Sequence, residues 1–348
     1  MKKSGKLLLL LPLLVISCTG PSRTKGFFIA TLDSSDTPRH LQMKNGMQSV
    51  VDGAKAAGIV ARYLVYSAND DAALQMRQLE QLVTQGVNAV LVNPVSATGL
   101  APAIDRAVRK GIMIMGIDRR IDHPRAYNLI TDQKAWARSH AQFIVDALGG
   151  KGTLLRFDGI DGVAMNEERA AEQDAVLAAN PGIRVLKVVH HNWDAARARQ
   201  LMSQLLIAFP RFDAILSQEG VPGIHAALTA AKHRMPKAMS MDGTVEGVRL
   251  WYEHNRKNPG DPINAFIVAD PPGVGASGMQ VVLWMLQGKR LKADALVQPF
   301  NILLQPVSLV ITAGTIEEWY TRLANRPAEE VLDSSLDAQQ VLDLYFQK

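Results

Sequence analysis

Several short apolar runs in this 348-residue chain end in a side chain suited to hydrogen bonding: Asp33, Asn93, Asp118, Asp158, Gln218-Glu219, Asp242 and Asp270. Carboxylates accept, and amides both donate and accept, so a converging set could grip the hydroxyls of a small polar molecule. Two such acids could also cleave a glycosidic bond as acid and base. Each alone could equally cap the helix that follows it. Their recurrence along the chain favours a shared site.

Three other motifs suggest different chemistry. Gly273-Val274-Gly275-Ala276-Ser277-Gly278 has the G-x-G-x-x-G spacing of a dinucleotide turn, with Asp294 further on. That fingerprint opens a first strand–helix–strand unit, whereas here it follows many earlier strands and a Pro271-Pro272 break, so no cofactor is expected. His190 and His191 are adjacent in a strand and face opposite sides, with no Cys or His at ligand spacing, so no metal is expected. The one cysteine, Cys18, has no neighbouring His or Asp and stands directly behind the apolar block of residues 7–16. No catalytic residue is assigned.

The elements that must position the polar residues show a regular rhythm. Apolar runs at 26–33, 60–67, 88–94 and 112–118 alternate with helical patterns at about 41–54, 73–85 and 100–109. The rhythm restarts with runs at 153–159, 183–191, 213–218, 238–243 and 263–270. Helical patterns at 164–179, 195–208, 222–232, 245–254 and 276–286 separate or follow them. Strands this uniformly apolar are parallel and covered by helices on both faces. The fold class is α/β, with two doubly wound parallel-sheet lobes joined near 120–131, and a ligand would lie beyond the carboxyl ends of the strands.

The start of the chain carries Lys2, Lys3 and Lys6, then an apolar block too short to cross a bilayer, which takes ~20 residues. This is the layout of a secretory leader. Removing residues 1–17 leaves 35 Lys and Arg against 33 Asp and Glu, a net charge of +2 in place of +5. So small a charge, without a basic helix interleaved with aromatics, argues against nucleic acid. At 47% hydrophobic and 20% charged residues the composition is that of a globular protein.

Val15-Ile16-Ser17-Cys18 resembles the bacterial lipobox, which implies acylation of Cys18 and a periplasmic or cell-surface protein anchored to a bacterial membrane by lipid. With Cys18 lipidated, no disulfide can form within the chain.

From about residue 26 to 305 the chain resembles the periplasmic sugar-binding proteins of the ribose- and galactose-binding type. The resemblance rests on "QGVNAVLVNPVSATGL", "GIMIMGIDRR", "NEERAAEQDAVLAANPGI", "HHNWDAARARQLMSQLL", "DAILSQEGVPGIHAAL" and "MSMDGTVEG", in that order. It implies a hinged, non-enzymatic receptor that closes on a sugar or sugar derivative and delivers it to a membrane ABC permease, or presents it to a sensor protein. The implied organisation is a leader at 1–17, a tether at 18–25, a first lobe from 26–131 plus 271–298, a second from 132–270 plus 299–314, and a helical extension at 315–348. The extension is expected to pack as two helices on the second lobe.

The implied ligand contacts are Asn93, the Asp118-Arg119 pair, Arg169, Trp193 as the ring-stacking aromatic, and Asp242, with Asp33 at the end of the first strand. The chain departs from the family pattern at Arg39-His40, where aromatics are common, and at Glu219 and Asp270. Those charges weigh against plain ribose or glucose and fit as well a sugar with a charged or amino substituent, a sugar acid or a polyol.

Overall fold

The computed structural model describes residues 26–347; the leader, Cys18 and the tether lie outside them. The chain begins β1 (Phe27–Asp33), α1 (Pro38–Ala56), β2 (Val60–Ser67), α2 (Ala72–Gln85), β3 (Ala89–Val92), α3 (Ala101–Arg109), β4 (Met113–Ile117) and β5 (Tyr127–Thr131). It continues α4 (Gln133–Ala147), β6 (Gly152–Asp158), α5 (Ala164–Ala178), β7 (Ile183–His190), α6 (Ala195–Ala208), β8 (Ala214–Ser217), α7 (Val221–Ala230), β9 (Ala238–Ser240), α8 (Val245–Lys257) and β10 (Ala265–Val268). It ends with α9 (Val274–Leu286), β11 (Ile302–Gln305), β12 (Val310–Ile311), α10 (Ile316–Arg322) and α11 (Ala338–Tyr345).

Two six-stranded sheets result, in the orders β11-β5-β4-β3-β1-β2 and β12-β10-β9-β8-β6-β7. The strand pairs are parallel except the antiparallel β10–β12. Central strands such as β3 and β8 are buried at every position, while in edge strand β2 only Val60 is fully buried. Helices on both faces require this, because an apolar strand buried on one side only would leave its other face wet. Capping carboxylates set several helix starts: Asp71 accepts from Ala73 and Leu74 N–H in α2, and Asp132 from Ala135 N–H in α4.

The chain passes between lobes at β5–α4, at β10–α9, between β11 and β12, and again between α10 and α11. Residues 299–314 therefore do not all join the second lobe, to which the family resemblance assigns them. Ile302–Gln305 pairs with β5 in the first sheet, and only Val310–Ile311 reaches the second. The proline at 306 has no N–H for a ladder, which ends the strand there. The terminal extension is divided as well. Trp319 and Tyr320 of α10 pack against the second lobe, whereas Val341, Tyr345 and Phe346 are buried in the core of the first. A second helix on the second lobe is thus not what forms. Strand β5 and helix α4 fill the gap left between residues 118 and 153 in the sequence reading.

Gly275 is where α9 meets α1: a Cβ there would run into Met43 and Met47, so the G-x-G-x-x-G spacing serves helix packing. Gly223 of α7 is tighter still, its missing Cβ overlapping the Ala195 carbonyl of α6. Gly53 of α1 has open space around it. Opposite outcomes are expected from one substitution. Gly53→Ala should stabilise by roughly 0.5–1 kcal/mol through helix propensity. Gly223→Ala should destabilise by about 1–3 kcal/mol, because backbone must move. Denaturant midpoints measure both, and equal signs would contradict the packing described.

Candidate functional site

A row of ionic and amide groups runs from one lobe to the other. Asp118, at the end of β4 with a left-handed φ of 65°, accepts from Arg39 Nη2 at 2.7 Å. Arg39, in the first turn of α1, also donates from Nη1 to the Asp270 carbonyl at 2.5 Å. Asp270 lies on the β10–α9 crossing, and its Oδ2 accepts from Arg169 Nη2 at 2.8 Å and from Gln133 Nε2 at 3.3 Å. Arg169 Nε donates to Gln133 Oε1 at 2.7 Å, and its guanidinium lies 3.9 Å from the Trp136 ring centre. Trp136 is itself fixed by an Nε1–H bond to Val268 O at 2.8 Å.

Burial and neighbouring charge set the electrostatics. Burial would raise the Asp118 carboxyl, but the adjacent Arg39 guanidinium prevails and holds it below the usual range. Burial lowers Arg169 in spite of Asp270 and Glu219. It raises Glu219, which Arg169 and Arg39 offset only in part. Asp242 is pushed up to about 8 by burial and by Glu219, although two backbone N–H groups pull the other way.

The row separates two spaces. On one side is a cleft of about 580 Å³, lined from the first lobe by Pro94–Ala97 and Asp118–Arg120 and from the second by Ile160, Val163–Met165 and Trp193. On the other is an inner cavity of about 130 Å³ bounded by Arg39, Trp136, Glu219, Asp242, Asp270 and Val331. Arg120 of the first lobe and Glu168 of the second both line the cleft and meet at 2.8 Å, which also joins the lobes.

The candidate residues divide into three groups. Arg119 and Trp193 line the cleft directly. Arg119 makes no side-chain hydrogen bond or ion pair among the described residues. Trp193 has a φ of 57° and lies against Gly159, where any side chain would strike the indole; its buried Nε1 has no partner among them. Arg39, Asp118, Arg169, Glu219, Asp242 and Asp270 make up the row and the inner cavity. Of these, Asp242 also caps α7, its two oxygens accepting from Gly220 N–H at 2.9 Å and Val221 N–H at 3.1 Å.

Asp33, His40 and Asn93 form a separate buried network lining neither space. Asn93 Nδ2 donates to Asp33 Oδ1 at 3.2 Å, and His40 Nδ1 lies 3.2 Å from the same oxygen. Asp158 is held by Arg156 at 3.0 Å. His190 and His191 lie near the backbone carbonyls of Gly159 and Asp158.

Gln133, Trp136, Arg120, Glu168 and Val331 are site residues outside the sequence expectations. For the first two a signal exists: Asp132 as a cap, then buried Trp136, Ala137, His140, Ala141, Ile144 and Val145 at helical spacing. For Val331, on an irregular segment, there is none.

Two α/β lobes joined by crossings, with a polar cleft at the strand ends, define a two-lobed small-molecule binding protein. The periplasmic binding protein domain family model matches residues 29–290, and the chain belongs to that family. It is 30% identical over 232 residues to the xylitol-binding protein of Mycolicibacterium smegmatis, covering 66% of this chain and 64% of that protein, just under two thirds of its length. It is 24% identical to the ribose import binding protein of Haemophilus influenzae, over 82% of this chain and 92% of that one. An ABC transporter solute binding protein from Thermobispora bispora superposes with a TM-score of 0.74 at 22% identity, covering 91% of this chain and 94% of that structure.

Proposed function

We propose that this protein is an exported receptor that closes on a sugar or polyol and passes it to the membrane permease of an ABC transporter. The observation that carries this reading is the cleft itself. It is the size of a small-ligand site, with an aromatic face from one lobe and an Asp118-Arg119 pair from the other. Trp193 offers an apolar plate for carbon-bound hydrogens, and Arg119 and Asp118 offer fixed donors and acceptors for hydroxyls. Xylitol and ribose, named for two relatives, are polyhydroxylated molecules that this cleft can enclose. The family members named above are binding proteins, which supports a receptor without catalysis.

A thermal-shift screen of xylitol, D-ribose, D-allose, myo-inositol, D-glucosamine and D-gluconate tests the reading. A ligand at a hundredfold excess over its Kd adds about 2.7 kcal/mol of stability, a shift of several degrees. No shift with any polyol or sugar would remove the sugar reading. For the polyol that binds, Trp193→Ala and Arg119→Gln should each weaken affinity roughly tenfold, since about 1.4 kcal/mol is tenfold in Kd. Calorimetry giving wild-type affinity for both variants would move the site elsewhere.

The lipid anchor is part of the same proposal, supported by the lipobox around Cys18. Cys18→Ser should transfer the protein from the detergent phase to the aqueous phase. Unchanged partition would remove the anchor.

A further inference from the structure

The segment between α10 and α11 belongs to both lobes at once. Its first part is stitched to the second lobe. Val245 N–H donates to Glu330 O at 2.9 Å, Glu246 N–H to Ala328 O at 2.9 Å, and Leu332 N–H to Gly243 O at 2.8 Å. Leu332 is buried in the core of that lobe. Its last part is fixed to the first lobe, where Leu336 N–H donates to Ser277 Oγ of α9 at 2.9 Å and α11 buries Val341 and Tyr345. Between these anchors Gln42 of α1 clasps Val331 in both directions. Gln42 Nε2 donates to Val331 O at 2.8 Å, and Gln42 Oε1 accepts from Val331 N–H at 3.2 Å. Val331 also faces the inner cavity beside Arg39, Glu219, Asp242 and Asp270.

We infer that this strap is a restraint on lobe opening, with the Gln42 clasp on Val331 holding the ligand-free lobes close together. The clasp works through geometry. From Leu332 to Leu336 there are four peptide units, which span roughly 14 Å at most. Each end is held in a different core, so the strap limits how far the lobes part, and wide opening breaks both Gln42 bonds. A receptor kept partly closed binds with an apparent affinity set by its competent fraction.

Small-angle scattering of the ligand-free protein tests the clasp. Gln42→Ala should raise the radius of gyration, and Gln42→Glu, which keeps the acceptor but not the donor, should fall between it and wild type. Superimposable profiles for wild type and Gln42→Ala, both folded by thermal melting, would overturn the clasp.

Discussion

Arg169→Ala is expected to destabilise the ligand-free protein by about 3–5 kcal/mol, whatever it does to binding. The side chain is only 1% exposed, and it satisfies Gln133 and Asp270 while covering Trp136. Its removal leaves the Asp270 carboxylate buried with its nearest cation gone and Gln133 Oε1 without its donor, and opens a void over the indole. A loss of that size corresponds to a melting temperature lower by roughly 6–20 °C. Arg169→Met keeps much of the packing on Trp136 and isolates the charge. Pairing it with Asp270→Leu should recover part of the loss, because the buried carboxylate goes with its partner. A melting temperature within a degree of wild type for Arg169→Ala would mean that the row carries little of the fold's stability.

The second large effect depends on pH. Asp242 titrates near 8 in the folded protein and near 3.9 in an unfolded chain. Between these values the native state holds a proton that the unfolded state has released. Stability therefore falls as pH rises through the window from about 4 to about 8, at up to about 1.4 kcal/mol per unit. The whole window amounts to about 5–6 kcal/mol for this one group. Glu219, also raised, adds in the same sense. Asp242→Asn removes the larger contribution. The variant should match or fall slightly below wild type near pH 5, having lost one acceptor at the start of α7. At pH 8–9 it should exceed wild type by a few kcal/mol. Urea unfolding at both pH values measures this, and a constant offset between the two proteins would show that Asp242 is not the titrating group.

Much of the frame is legible along the chain, because central strands covered on both sides have no reason to be anything but apolar. The helix over 195–208 is read to the residue, and β1 and β6 to within one. Strand β5 is missed because Tyr127-Asn128-Leu129-Ile130-Thr131 interrupts its apolar character with Asn128. That side chain holds the neighbouring loop through Ile121. Helix α4 is missed because its buried face includes Gln133 and His140, polar residues that break the apolar stripe. Both exceptions are polar groups buried for a reason that lies elsewhere in the molecule.

The site is legible as a set of residue types, not as an arrangement. Asp33, Asp118, Asp242 and Asp270 look alike at strand ends, and only folding separates a network member, an ion pair, a cap and a crossing. The contact between Arg39 and Asp270 joins positions 231 residues apart. No local pattern announces such a pair.

The shared construction of the first lobe also bears on how the molecule assembles. Its sheet opens with Phe27 and is completed by β11, and its core is closed by Tyr345 and Phe346. One face of β1, with Ile29, thus waits for α9, β11 and α11 before it is covered, whereas the other, with Ala30 and Leu32, packs on residues up to Ala126. Contacts this distant in sequence impose a loop-closure cost that slows folding. The first lobe is therefore expected to complete this second core face only after α11 docks, behind the core that its own amino-terminal residues form.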